Sequence, residues 1–296
     1  MSASQQAVLA EVHAAPRSAG AYRMAFRRLL RHKLGRIGLF VLVLMAVVAI
    51  AAPLIAPYDP TEPFYEALLS PPSWAFPLGT DEIGRDILSR IIYGTRISLE
   101  VIVISVAAAL IFGSLIGIAT GYAGGWADHV VMRVMDGLQA FPMLVLALAV
   151  IAVLGPDLVN AIIAITIVNI PGFVRLVRGQ VLVVRQMDHV QAARCLGAPD
   201  WRIIAYHIWP KVIGHVIVYA SLRASAALLT ESSLAFLGLG AQPPEPSWGQ
   251  MLSTSMQHWD AWWMSLFPGI AIFVAVLSLN FLGDGLRDSL DVRIQS

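Results

Sequence analysis

Apolar residues run almost unbroken over about 20 positions in six places along this chain, the length an α-helix needs to cross a hydrocarbon core of roughly 30 Å. The runs occupy 37–55, 97–121, 130–153, 158–177, 212–237 and 262–282. They predict an all-α membrane protein with six transmembrane helices. Between the fourth and fifth runs, the stretch 188–210 is polar and bears arginines. There Gln191, Ala192, Ala193 and Gly197 leave a surface of small side chains at helical spacing, followed by a turn at 198–200 and a second short amphipathic helix closing at Pro210. A surface of that kind suits close docking of another protein.

Composition agrees with a bilayer: 57% of residues are hydrophobic and only 13% are charged, against roughly 25% charged in soluble domains. The basic residues set the direction, because Lys and Arg near span ends stay on the cytoplasmic side. Arg17, Arg23, Arg27, Arg28, Arg31, Lys33 and Arg36 precede the first run, and Arg178, Arg185, Arg194, Arg202 and Lys211 fall between the fourth and fifth. Segments 154–157 and 238–261 contain neither Lys nor Arg, while Arg287 and Arg293 follow the last run. Six spans with both termini cytoplasmic fit this distribution everywhere except the first outer loop. There Arg85, Arg90 and Arg96 lie among Asp59, Glu62, Glu66, Asp81, Glu82 and Asp86. The basic tail is longer than a signal-peptide n-region and no small-residue cleavage site follows the first run, which therefore reads as a retained anchor.

Residues 22–34 read as a basic amphipathic segment whose Met24, Phe26, Leu29 and Leu30 face membrane lipid, or as a topology signal alone. The outer loop 57–96 opens with six prolines between Pro57 and Pro77, which resist regular structure. After them, Thr80 or Asp81 is placed to cap an interfacial helix leading into the second span. Within that span Gly113, Gly117 and Gly121 recur every four residues, clearing a stripe for another backbone, either in the chain's own bundle or on a partner. The fifth span holds Arg223 and Glu231, eight residues and about 12 Å apart along a helix, too far to pair. Each needs a partner elsewhere, as part of a pathway lining or as a structural polar clamp. Segment 238–249 carries glycines, prolines and Trp248, with Trp259, Trp262 and Trp263 after it. It reads as an aromatic belt with a rigid loop or as a receiving surface for a ligand or protein. The single Cys195 excludes an internal disulfide and reads as an inert thiol.

The sequences QAARCLG at 191–197 and IWP at 208–210 resemble the EAA loop of permease subunits in binding-protein-dependent ABC importers. Four further stretches, LGTDEIGRD at 78–86, RLVRG at 175–179, FLGLGAQPP at 236–244 and GDGLRD at 283–288, resemble the C-type subunit of the dipeptide, oligopeptide and nickel permease group. The resemblance runs from about Tyr22 to the C-terminus. It implies a type I ABC importer permease fold in a bacterial cytoplasmic membrane, with Gln191, Ala192, Ala193, Gly197, Ile208 and Pro210 coupling the chain to an ATPase. The implied partners are a second homologous permease, two ATPase subunits and an extracytoplasmic solute-binding protein. On this resemblance, 1–95 hold the basic segment, first span and long outer loop, and 96–296 hold a five-helix core with the coupling loop at 186–210. Two positions depart from the family pattern: Gln191 where Glu is usual, and Trp209 where Leu is common. Glutamine keeps the length and hydrogen-bonding capacity of Glu but loses its charge.

Dipeptides or short oligopeptides lead as the implied substrate, followed by D-amino-acid dipeptides, glutathione and nickel complexes. The chain has no Gly-Lys-Ser/Thr phosphate loop, zinc helix or dinucleotide fingerprint, so it supplies no cofactor chemistry of its own. ATP and Mg belong on this reading to the ATPase subunits, and no nucleic acid is implied as a partner. A stand-alone secondary transporter would need coupling carboxylates or polar linings through several spans, and only the fifth offers them. A membrane enzyme would need a paired acid and base or a metal constellation, which the spans lack.

Overall fold

The computed structural model describes residues 27–290, so Arg17, Arg23, Met24, Phe26 and Arg293 lie outside the described residues. Among the described residues the architecture is helical, with β pairing confined to one isolated bridge between Thr80 and Asp86. The helices are α1 (Lys33–Ile55), α2 (Ile87–Ala123), α3 (Gly125–Gln139), α4 (Met143–Leu154), α5 (Leu158–Val184), α6 (Asp188–Cys195), α7 (Asp200–Phe236), α8 (Trp248–Ser255) and α9 (Trp263–Leu290). Five of them, α1, α2, α5, α7 and α9, are long and apolar enough to cross a membrane, and α3 and α4 pass the same test only when taken together as one broken span.

The pair differs from the uninterrupted helix that the apolar run 130–153 predicts. The chain breaks after Gln139 and turns through 95° before Met143. Pro142 is the cause, since its ring pushes Phe141 out of the helical region. A second correction concerns Pro210, which does not close a short helix. Residues Asp200–Arg202, a π-helical turn at Ile203–Ile208 and Trp209–Phe236 follow one another as a single rod. In the π turn the Trp209 N–H reaches back to the Ile204 carbonyl. This wider winding shifts the carbonyl that the proline ring would otherwise strike, so the helix passes through.

The third correction is the start of α2, which begins ten residues before the apolar run at position 97. Its cap is Asp86, accepting the Ser89 N–H at 2.8 Å, rather than Thr80 or Asp81. With 37 residues α2 is about 55 Å long. It therefore crosses the 95/96 division without a break.

α2 packs most extensively along α5. The glycine stripe lies in that seam: a Cβ at Gly117 would sit 2.8 Å from the Val174 carbonyl and from Val177, Gly121 faces Val181, and Gly113 faces Phe173. α1 lies on α9, where Gly35 meets Gly285, and turns Phe40, Ile50 and Leu54 outward.

The outer loop before α2 is fastened to the bundle. Trp263 donates its indole N–H to the Thr80 carbonyl at 3.0 Å, and Trp248 donates to the Ile91 carbonyl at 3.1 Å across Gly94. These two tryptophans are buried, whereas Trp259 and Trp262 are exposed, so only the latter pair suits an interfacial belt. The loop's basic residues are also internally matched. Asp81 Oδ2 lies 2.7 Å from Arg85 Nε and 3.6 Å from the buried Arg90 Nε, and Arg85 also reaches Glu82 at 3.0 Å. Of the three arginines that depart from the charge rule, Arg85 in the loop and Arg90 on the first turn of α2 thus have carboxylate partners.

Candidate functional site

Two features stand out, a knob at one end of the bundle and a cleft in its middle. The knob is α6 with the turn into α7. Asp188 in its first turn and Arg194 in its last complement the helix dipole. Val190 and Ala193 face the core, while Gln191, Ala192, Arg194, Cys195, Leu196 and Gly197 face outward. Leu196 is 88% exposed and Trp201 61%, which puts large apolar groups on a projecting corner.

Gly197 ends α6 at φ +77, with its N–H on Arg194 and the Ala198 N–H on the Ala193 carbonyl at 3.1 Å. This six-to-one closure with a left-handed residue needs glycine for its backbone, not for space, because nothing lies within 4 Å of an added Cβ. Gln191 donates its amide to the Arg185 carbonyl at 3.0 Å, at the end of α5. An ionised Glu has no proton to donate there. Burial and the nearby Lys211 charge hold His189 below the ordinary imidazole pKa.

The knob is tied to α2 as well as to its own flanking helices. Tyr122 donates to Asp200 at 2.5 Å, Arg194 stacks over the Tyr122 ring at 5.7 Å, and Arg185 donates to the carbonyls of Gly121 and Tyr122 at 3.2 and 2.8 Å. Of the remaining residues singled out from the sequence, Pro210 is exposed. Ile208 is fully buried and anchors the segment to the core instead of presenting a surface.

The cleft, about 530 Å³, opens where α3 bends into α4. Gln139, Phe141 and Met143 from the bend face Gly172 and Arg175 from α5 and Tyr219 and Arg223 from α7. Arg223 lies 13 residues (236 − 223) before the end of α7, about 20 Å deep along the helix. Its Nε donates to the Tyr219 hydroxyl at 2.8 Å, and its guanidinium sits 5.2 Å from that ring. Arg175 donates to Asp136 at 2.6 Å, and Arg178 donates through Nε and Nη2 to the two carboxylate oxygens of Asp128 at 2.5 and 2.6 Å, so two ion pairs hold α3 on α5.

Glu231 is not in the cleft. It is 1% exposed and receives the hydroxyls of Ser247 and Ser232, each at 3.3 Å, joining α7 to the segment before α8. Sequence reasoning missed Tyr122, Arg185 and Asp200 as a linkage, Leu196 and Trp201 as the projecting corner, and Gly172 and Tyr219 around Arg223. The last pair left a trace, since Tyr219 precedes Arg223 by one helical turn. Among the described residues no group of three His, Cys, Asp or Glu is arranged to hold a metal.

Residues 113–296 match the family described as binding-protein-dependent transport system inner membrane component, and residues 21–72 match the N-terminal TM domain of oligopeptide transport permease C. The chain is 45% identical to a glutathione transport system permease protein of Pectobacterium atrosepticum over 93% of this chain and 92% of that protein. It is 45% identical to a dipeptide transport system permease protein of Alkalihalophilus pseudofirmus over 93% and 91%. A probable D,D-dipeptide transport system permease protein of Escherichia coli is also 45% identical, over 85% of each chain.

Proposed function

Because the chain belongs to the family of binding-protein-dependent transport system inner membrane components, we propose that it is the permease subunit of an ATP-driven importer of dipeptides or short oligopeptides. Relatives named for glutathione and for D,D-dipeptides stand at the same identity as one named for dipeptides, so the substrate class is short peptides and their variants. One observation carries the mechanism: an exposed knob is fastened to α2, α5 and α7, and two of these helices line the cleft.

In this reading the knob is cytoplasmic and docks on one of two ATPase subunits, which hold the ATP and its Mg. A second homologous permease closes the cleft into a path, and an extracytoplasmic solute-binding protein delivers the peptide. Closure of the ATPases around ATP pushes on Gln191, Ala192, Leu196 and Trp201 and tilts α5 and α7. Moving such a two-state bundle from 1:99 to 99:1 takes roughly 5.5 kcal/mol of differential binding. Copurification tests this directly: the tagged chain extracted in mild detergent carries an ATPase with it, and the chain alone in liposomes moves no peptide. Peptide uptake by the isolated chain sinks the reading.

A further inference from the structure

The cleft contains a cation that the described residues do not neutralise. Arg223 has no carboxylate within 4.0 Å among the described residues, and its hydrogen bonding there is through Nε to Tyr219, leaving both Nη groups without a partner. A charge some 20 Å along a spanning helix is costly, and is retained where it faces a water-filled cavity or a partner and marks a substrate pathway; Arg223 is half-buried and lines the cleft. The surroundings orient it. Tyr219 fixes the guanidinium by one hydrogen bond and is itself wedged edge-on against Phe173 at 4.9 Å. Gly172 supplies the room, because a Cβ there would lie 2.9 Å from Arg223 Nη2 and closer still to the Tyr219 hydroxyl. The other cation of the cleft, Arg175, already holds Asp136, so the lining keeps one uncompensated positive charge with four N–H groups available. A planar fork of this kind matches a carboxylate with two parallel hydrogen bonds.

We propose that Arg223, positioned by Tyr219 over Gly172, binds the C-terminal carboxylate of the peptide during its passage. The inference rests on the importer reading. It places a recognition step inside the permease, in addition to the selection made by the solute-binding protein.

The test uses the complete importer in proteoliposomes, with dialanine and dialanine amide as probes at concentrations that saturate the binding protein. Wild-type importer takes up dialanine in preference to the amide. Arg223→Gln lowers dialanine uptake about tenfold or more and reduces the preference towards one. Arg223→Lys, which keeps the charge without the fork, recovers part of both. Tyr219→Phe keeps the ring but frees the guanidinium, and lowers the preference about threefold. Because the binding protein is the same throughout, a change in preference belongs to the permease. Wild-type preference in Arg223→Gln, or an equal fall for both peptides as a structural or lipid-phosphate contact would give, overturns the inference. If Arg223→Gln does not assemble, an unchanged preference in Tyr219→Phe has the same force. Failure of the wild-type importer to move either peptide removes the importer reading as well.

Discussion

Replacing Gly197 separates backbone strain from docking bulk at the knob. At φ +77 any L side chain pays for the left-handed conformation, about 1–2 kcal/mol, and nothing else is lost because no atom lies within 4 Å of the new Cβ. The turn is also held by the Ala198 to Ala193 bond and by the Tyr122–Asp200 contact, so Gly197→Ala keeps its shape and retains uptake to within about threefold. Gly197→Trp adds an indole beside Leu196 on the outward corner. Ala192→Trp adds the same bulk at an exposed helical position without strain. Both tryptophan variants are expected to insert in the membrane normally and to lose peptide-stimulated ATP hydrolysis and uptake in proteoliposomes. Wild-type coupling in both would refute the docking assignment. Collapse of Gly197→Ala beside a healthy Ala192→Trp would show that turn conformation matters and the face does not.

Asp81→Asn removes the carboxylate that Arg85 holds at 2.7 Å and the 3% exposed Arg90 of α2 faces at 3.6 Å, a loss of about 3 kcal/mol for breaking a buried pair. The thermal midpoint of the purified complex falls by several degrees and the loop 57–86 becomes open to protease; an unchanged midpoint contradicts the pairing. Glu231→Gln keeps one serine bond on its carbonyl oxygen and donates its amide N–H to the other hydroxyl, and transports within about twofold of wild type, whereas Glu231→Leu strands the Ser247 and Ser232 hydroxyls at about 1 kcal/mol or more each and lowers the midpoint. A stable Glu231→Gln complex with no uptake would return this carboxyl to the transport path.

Much of this was legible from residue type and spacing. The six apolar runs mark the crossing segments because hydropathy reports burial in lipid, but it carries no direction, and the 95° turn at the third run depends on the local Phe141-Pro142 step. The glycine stripe was legible at its four-residue period, while the helix that fills it, α5, follows only from tertiary packing. Pro210 was misjudged because a terminator rule assumes α winding, and the π turn before it changes which carbonyl the ring meets. At the knob, the outward positions of Gln191, Ala192 and Gly197 follow from the helical register, as does the use of glycine at the turn. The Tyr122 linkage was invisible because it joins residues 78 positions apart.

The two kinds of contact made by α5 indicate which part of the bundle moves. Its seam with α2 is built on backbone approach, with Val174, Val177 and Val181 set against glycines, and sliding it would drive side chains into carbonyls. Its hold on α3 includes two ion pairs instead, of which Arg175–Asp136 is about half exposed and contributes about 1 kcal/mol or less. Against the roughly 5.5 kcal/mol that a full population shift demands, breaking such a pair is a small cost. The bidentate Arg178–Asp128 pair, whose carboxylate is buried, is dearer to break, so the yielding end of α3 is the Arg175–Asp136 side, next to the bend into α4. The bend contributes Gln139, Phe141 and Met143 to the cleft lining, and α5, which carries Arg175 and Arg178 and receives the Gln191 amide at its C-cap carbonyl, connects that end of the cleft to the knob.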